Sequence, residues 1–377
     1  MSIDLALPAE FGPLELAIEQ AHADLDQGGT IPFSWYTDPD IFRLEQERIF
    51  ARSWQYVGHR SQLAKLGSYF TAQLGDFPVV VTLTTDGQMA AHANVCPHRG
   101  NILAKGCGPA RTLTCGYHSW TFDLDGTLKS APRSQSESDL DPSRIRLSPL
   151  AVDSWGPLIF VNRDPEATPL AEVLGGIAVV CEERGFDLER HPLRASRSWD
   201  ISANWKVTLD NNTECYHCQT VHPEFSSKYH VDSENYRVTT FDRCFSHESR
   251  AKEEAPDTGE WLDFHLNYVF PNFMISGRGN DYFYTYTYAP IDAHTTRQYN
   301  DFYFPAAWSE TEVEEAIEEI LVIMKQDWHV FEGVQRGLVS GALSHGRLMP
   351  ENEALLIHNQ RLVIDGLRGT DGGRERR

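Results

Sequence analysis

Two short ligand pairs constrain this chain more than any other feature: Cys96-Pro97-His98-Arg99-Gly100 and, further on, Cys115-Gly116-Tyr117-His118-Ser119-Trp120. Two thiols and two imidazoles that serve one site must be presented by loop tips held side by side. Zinc is the simplest occupant of such a set, but zinc motifs space the ligands of a pair two to four residues apart, and a single residue separates Cys96 from His98. The mixed set suits a [2Fe–2S] cluster in which thiolates hold one iron and neutral imidazoles the other, which raises its potential. Cys96 and Cys115 are assigned to the first iron, His98 and His118 to the second. Glycine and proline around both pairs favour tight tips whose backbone can approach the sulfur atoms and donate hydrogen bonds.

The sequence around these pairs has the texture of a small antiparallel β domain, from about residue 53 to 163. Short runs such as Phe77-Pro78-Val79-Val80-Val81-Thr82-Leu83-Thr84 are separated by Asp86-Gly87 and Asp125-Gly126 turn signals. Residues 1–52 read as an N-terminal helical arm, with helical periodicity over Leu14 to Leu25 and again over Asp38 to Arg52. Residues 164–368 form a second domain, entered through a proline-bearing crossover from Asp164 to about Arg197. Its expected elements are a helix from about Trp205 to Thr220, strands near Tyr236 to Thr240, Tyr268 to Ile275, Tyr282 to Tyr288 and Tyr299 to Phe304, and a long helix from about Glu310 to Leu343. Residues 369–377 read as a disordered tail.

A formal net charge of -21 argues against nucleic acid or an anionic membrane as partner, since either demands a basic face. No apolar run is long enough to span a bilayer and no secretory signal is evident, so a cytoplasmic location is expected. The five cysteines outside the ligand pairs, Cys107, Cys181, Cys215, Cys218 and Cys244, show no disulfide-framework spacing and are expected to be reduced.

A one-electron carrier needs an acceptor, and the second domain supplies candidates for one. Glu214-Cys215-Tyr216-His217 is followed by Val221-His222-Pro223-Glu224, so two histidines stand five apart where a helix must end before proline. Two histidines leave a metal under-ligated; a 2-His-1-carboxylate triad for non-haem Fe(II) needs an acid from elsewhere. Gln326-Asp327-Trp328 on the long helix offers Asp327, apart from the acidic run Glu310 to Glu319, which reads as a solvated face. Cys215-x-x-Cys218 is open to a redox or zinc reading, but beside an iron ligand the two residues read as packing groups.

The three separated motifs, Cys96-x-His98 with Cys115-x-x-His118, Asn204-Trp205-Lys206 with Glu214, His217 and His222, and Asp327 with Glu332 and Gln335 behind it, together resemble the catalytic α subunit of a Rieske non-haem iron oxygenase. The resemblance spans Trp35 to about Arg361. It implies an α+β fold, with a small antiparallel β Rieske domain and a helix-grip catalytic domain built on a central antiparallel sheet. It also implies a homotrimer in which the cluster of one subunit faces the mononuclear iron of the next, and a separate NAD(P)H-dependent flavin/iron–sulfur reductase, for which this chain has no nucleotide-binding fingerprint. Glu214 matches the carboxylate that carries electrons between a cluster histidine, His118 of the adjacent subunit, and the iron ligand His217. Most relatives place Asp there.

Asn211 to Cys218 resembles the choline, carnitine and glycine-betaine monooxygenase subgroup, which hydroxylates a C–H bond near a quaternary ammonium and so leads to N-demethylation. Such a cation sits well over aromatic faces. Tyr282, Tyr284, Tyr286 and Tyr288 fall on one side of a period-two segment and read either as a tyrosine-rich sheet face or as part of a cage. Phe264, Tyr268, Asn272 and Phe273 are further pocket candidates. Two other readings stay open: an aromatic-ring-hydroxylating oxygenase of the same architecture, and a non-catalytic Rieske electron carrier in which His217, His222 and Asp327 are incidental.

Overall fold

The computed structural model describes residues 12–134, 141–232, 236–254, 262–278 and 281–369. The chain divides into two units, one comprising the described residues of Phe50–Gly175 and Asp187–Leu193, the other those of Met1–Ile49, Gly176–Phe186 and Arg194–Arg377. The tail expected beyond Gly369 lies outside the described residues.

Val79, Val80 and Val81 are all fully buried, as branched apolar residues are when a strand is covered on both faces. They belong to β3 (Phe77–Leu83) of an antiparallel sheet that also contains β1 (Gln55–His59), β2 (Ser68–Leu74), β4 (Met89–Ala93), β5 (Cys107–Pro109), β9 (Pro149–Trp155) and β10 (Leu158–Asn162), in the order β1-β10-β9-β4-β3-β2-β5. Val79 and Val81 pack with Phe70, Ile159 and Val161 on one face. Val80 packs on the other with Leu103, Leu113, Phe122 and the two thiols Cys96 and Cys115. A small sheet, β6 (Thr112–Thr114), β7 (Thr121–Asp123) and β8 (Leu128–Ser130), carries the second ligand pair in its β6–β7 connection.

The larger unit is built on a second antiparallel sheet of β11 (Leu193–Ile201), β12 (Tyr236–Thr240), β13 (Cys244–Ser249), β14 (Phe264–Val269), β15 (Phe273–Gly277), β16 (Phe283–Pro290) and β17 (Thr296–Tyr303), ordered β11-β17-β16-β15-β14-β13-β12. The segment expected as one strand from Tyr268 to Ile275 is two. Pro271 has no N–H to give a ladder, and Asn272 ties the reversal to β16 by donating its Nδ2 to the Tyr288 carbonyl oxygen. Part of the expected crossover is β11, an edge strand. Register puts Phe245, Tyr268, Met274 and Tyr286 in one cross-strand row. That face meets the helices: the long helix Glu310–Val339 is tied to it by Trp328 Nε1 donating to Gln298 Oε1, and the terminal helix Ala354–Arg368 by Tyr268 reaching Asn359.

The helix expected to reach Thr220 stops at Asn212. Asn204 caps its start, accepting from the Lys206 backbone N–H, and the Asn204 N–H donates to Gln335 of the long helix. Lys206 and Glu45 form an ion pair at 2.5 Å, both fully buried, with Trp205 Nε1 donating to the second carboxylate oxygen. One turn on, Asp210 accepts from the Tyr36 hydroxyl and from Gln360 Nε2. The Asn-Trp-Lys motif and the N-terminal arm thus hold the ligand-bearing segment against the terminal helix.

Burial pushes the Asp210 carboxyl up to about 7, against the downward pull of Tyr36 and Gln360. An unfolded aspartate titrates near ~3.9, so the folded state binds the proton more tightly. The resulting stabilisation is complete below the unfolded value and is lost as pH rises through about 7. Thermal unfolding between pH 5 and pH 8 should therefore show a fall in midpoint that is weaker in Asp210→Asn.

Candidate metal centres

The two cluster loops are copies of one backbone design. Cys96 N–H donates to Asn101 O and Gly100 N–H to Cys96 O; Cys115 N–H donates to Trp120 O and Ser119 N–H to Cys115 O. Both loops turn through a positive φ at the fourth residue after the cysteine, Gly100 at 73° and Ser119 at 59°. Glycine adopts that conformation freely, whereas serine there is strained. The thiols are buried, and His98 and His118 stand toward solvent with ring centroids 4.6 Å apart. Trp120, which sequence reasoning passed over, stacks on His98 at 4.7 Å. Burial pushes the Cys96 thiol up, whereas at Cys115 burial is outweighed by the backbone N–H groups of Tyr117 and His118 and the Asn101 amide, which hold its thiol below the usual range. A thiolate-favouring loop with outward imidazoles fits the mixed cluster donor set.

In the larger unit, His217, His222 and Asp327 offer three ligand atoms that all lie within 4.8 Å of one another. His222 Nε2 is 2.9 Å and His217 Nε2 3.6 Å from Asp327 Oδ1, and the two Nε2 atoms are 3.3 Å apart. The opposite ring nitrogens are occupied: His217 Nδ1 faces Glu214 Oε1 at 2.5 Å and His222 Nδ1 faces Gln326 Oε1 at 2.8 Å. With each Nδ1–H donated to an oxygen, both Nε2 lone pairs are free to converge on a metal. Burial alone would keep His222 neutral, yet Asp327 and Gln326 outweigh it and raise its pKa; a metal ion would take the place of that proton. Two imidazoles and one carboxylate fit the facial triad of non-haem iron. Gln326 was not singled out from the sequence. Its signal was adjacency, one residue before Asp327.

Glu214 lies past the helix end at Asn212, outside the helix expected to reach Thr220. Its Oε2 accepts from the backbone N–H groups of Tyr216 and His217, which pins the carboxylate and leaves Oε1 for the His217 ring. The expectation of reduced cysteines fails in the turn that follows: Cys215 and Cys218 are joined by a disulfide. The turn brings their Cα atoms to 5.0 Å, inside the range a disulfide spans. Reasoning from framework spacing overlooked so local a pair. They also pack with Phe225, Tyr229 and Phe264. Alkylation of the denatured, metal-free, unreduced chain should label five cysteines, Cys96, Cys107, Cys115, Cys181 and Cys244, and all seven after reduction.

Most of the aromatic candidates share the helix-facing side of the sheet. Tyr284 pairs with Ser276, Tyr286 with Met274, and Tyr288 with Gln298, the residue that Trp328 contacts. The Tyr288 hydroxyl accepts from Asn212 Nδ2 at 3.1 Å. Phe264 packs on Phe225 and Tyr229. Two candidates have other duties: the Tyr268 hydroxyl donates to Pro271 O and Asn359 Oδ1, and Asn272 Nδ2 ties the β14–β15 reversal to the Tyr288 carbonyl of β16. Phe273 opens β15 on the opposite face, paired with Val269 and Thr287.

A thiolate–imidazole loop pair in one unit and a two-histidine, one-carboxylate centre in the other define the architecture of a cluster-fed mononuclear oxygenase. Comparison with known proteins agrees. Residues 53–152 match the Rieske [2Fe-2S] domain and residues 188–369 the ring hydroxylating alpha subunit catalytic domain. The chain is 33% identical to the carnitine monooxygenase oxygenase subunit of Acinetobacter baumannii, over 88% of this chain and 91% of that one. It is 30% identical to chloroplastic choline monooxygenase of Beta vulgaris, over 87% and 75%. A solved quaternary ammonium Rieske monooxygenase in complex with L-carnitine superposes with a TM-score of 0.82 at 32% identity, covering 92% of this chain and 98% of that one. Naphthalene 1,2-dioxygenase from Rhodococcus, at 18% identity and a TM-score of 0.77, shares the fold alone. The chain belongs to the Rieske non-haem iron oxygenases, as a catalytic subunit closely related to the carnitine and choline monooxygenases.

Proposed function

We propose that this chain is the terminal oxygenase of a two-component system that hydroxylates a C–H bond beside a quaternary ammonium. The observation that carries the substrate class is the tyrosine-bearing sheet face that packs against the long helix carrying Asp327, in a chain one third identical to a carnitine monooxygenase subunit. Ring faces attract a cation that cannot donate hydrogen bonds, and Tyr282, Tyr284, Tyr286 and Phe264 are the pocket residues we assign to it. Hydroxylation at the carbon next to nitrogen gives a carbinolamine, which collapses to the dealkylated amine and an aldehyde.

Cys96, Cys115, His98 and His118 would hold the [2Fe–2S] cluster, and His217, His222 and Asp327 a mononuclear Fe(II). Bound there, the iron supplies dioxygen activation and the cluster supplies electrons from an NAD(P)H-dependent reductase. Glu214 orients His217 through Nδ1 and, in a homotrimer, joins it to His118 of the adjacent subunit. Two features support that role. The histidine side of the cluster loops faces outward, and Tyr117 and Tyr216, beside His118 and His217, are 55% and 58% exposed aromatic residues of the kind interfaces favour. No helix among the described residues is long and apolar enough to cross a membrane.

Oxygen uptake by the iron-loaded protein with a reconstituted reductase, across betaines, cholines and aromatic acids, tests the substrate class. Uptake coupled to formation of a dealkylated amine from a quaternary ammonium is expected. Coupling only to neutral or anionic aromatics overturns the assignment.

A further inference from the structure

Besides the ring faces they offer a cation, the tyrosines of this sheet form a column of successive rings that leads to the surface. Tyr288 and Tyr286 have centroids 6.2 Å apart, Tyr286 and Tyr284 5.2 Å, and Tyr284 and Tyr282 6.3 Å. The column leaves the strand at Tyr282, which lies 5.3 Å from Phe304 and 6.3 Å from Trp308. Trp308 is half-buried, just before the Ser309 cap of the long helix. At the inner end, Tyr288 accepts from Asn212 and pairs across the strands with Gln298, to which Trp328, the residue after Asp327, donates its Nε1. The inner three rings are buried. Each ring of this column therefore has its neighbour within 6.3 Å, from Tyr288 to the half-buried Trp308.

We propose that Tyr288, Tyr286, Tyr284, Tyr282 and Trp308 form an electron-supply path that quenches oxidant produced at the triad when no substrate is present. Tyrosine and tryptophan are the side chains most readily oxidised by one electron in a ring that survives the event. An oxidant formed from dioxygen next to Asp327 takes one electron from Tyr288 or Tyr286, whose phenolic proton shifts to a neighbouring oxygen. Each neighbour in turn refills the vacancy with an electron, and the displaced proton returns. The vacancy comes to rest on Trp308, where a small thiol in solution donates an electron, releases its proton to water and pairs with a second oxidised thiol as a disulfide. The triad ligands are thereby spared. Without thiol, two successive oxidations of Trp308 and one water give hydroxytryptophan and two protons.

The test exposes iron-loaded protein, and metal-free protein as control, to peroxide without substrate or thiol, then maps oxygen addition by mass spectrometry and records radicals by freeze-quench electron paramagnetic resonance. Iron analysis of the same samples establishes that the triad is loaded. Wild type should show a tyrosine or tryptophan radical and oxygen addition concentrated at Trp308, absent from metal-free protein. Tyr284→Phe keeps the ring packing but breaks the path. In it, Trp308 addition should fall to the metal-free level while addition at His217 and His222 rises. Trp308→Phe should leave the radical on tyrosine. Equal Trp308 oxidation in loaded and metal-free protein, or in wild type and Tyr284→Phe, overturns the proposal.

Discussion

Replacing Asp327 by alanine is expected to abolish substrate-coupled oxygen uptake, by well over the ~10–100-fold that changes behind a metal ligand cost, while leaving the visible spectrum of the cluster intact. Asp327 Oδ1 is the one anionic donor in the triad, 2.9 Å from His222 Nε2 and 3.6 Å from His217 Nε2. Two neutral imidazoles alone have neither the charge nor the denticity to retain a divalent iron. Iron content should drop from about three per chain to about two, the cluster's share. Gln326→Ala, which removes the acceptor of His222 Nδ1 but no ligand, should fall between wild type and Asp327→Ala. Undiminished turnover in Asp327→Ala would remove that residue from the triad.

The second large effect is on stability. Lys206→Met should destabilise the larger unit by about 3–5 kcal/mol, because it strands Glu45 as an uncompensated buried charge. Burial pushes the Glu45 carboxyl up and the Lys206 amine down, and the pair's attraction opposes both shifts. Adding Glu45→Leu to Lys206→Met should recover part of the loss, since replacing both partners of a buried pair by apolar groups is often near neutral, the remainder reflecting the carboxylate acceptor that Trp205 Nε1 loses. Urea unfolding of the two variants reads this directly. A single variant as stable as wild type would mean that water reaches the pair.

The small antiparallel β domain and the ligand spacing were legible because they are local, whereas the helix-grip catalytic domain was implied by the family resemblance. Alternating branched runs with Asp-Gly turns specify antiparallel strands, and Cys96-x-His98 with Cys115-x-x-His118 specifies its loops almost without reference to the rest of the chain. His217, His222 and Asp327 could be named for their chemistry, but their convergence depends on the long helix docking against the turn after Asn212. What was not legible depends on that tertiary context. The helix from Trp205 ends sooner than its periodicity suggests, and the reversal at Pro271 divides one expected strand into β14 and β15. Cys215 and Cys218 pair only because of the turn between them. Tyr268 and Asn272 looked like pocket residues by type, yet the Tyr268 hydroxyl is taken by Pro271 O and Asn359 and the Asn272 Nδ2 by the Tyr288 carbonyl of β16.

The most direct test of the central claim is a single turnover of fully reduced, iron-loaded protein with a betaine or choline substrate under isotopically labelled dioxygen, with no reductase present. One labelled oxygen atom in the aldehyde, or in the carbinolamine from which it forms, together with the dealkylated amine, is the predicted result; the product must be sampled before exchange with water. Electrons leaving the cluster with the substrate unchanged, or both labelled atoms appearing in an aromatic diol when an arene is supplied instead, would contradict it.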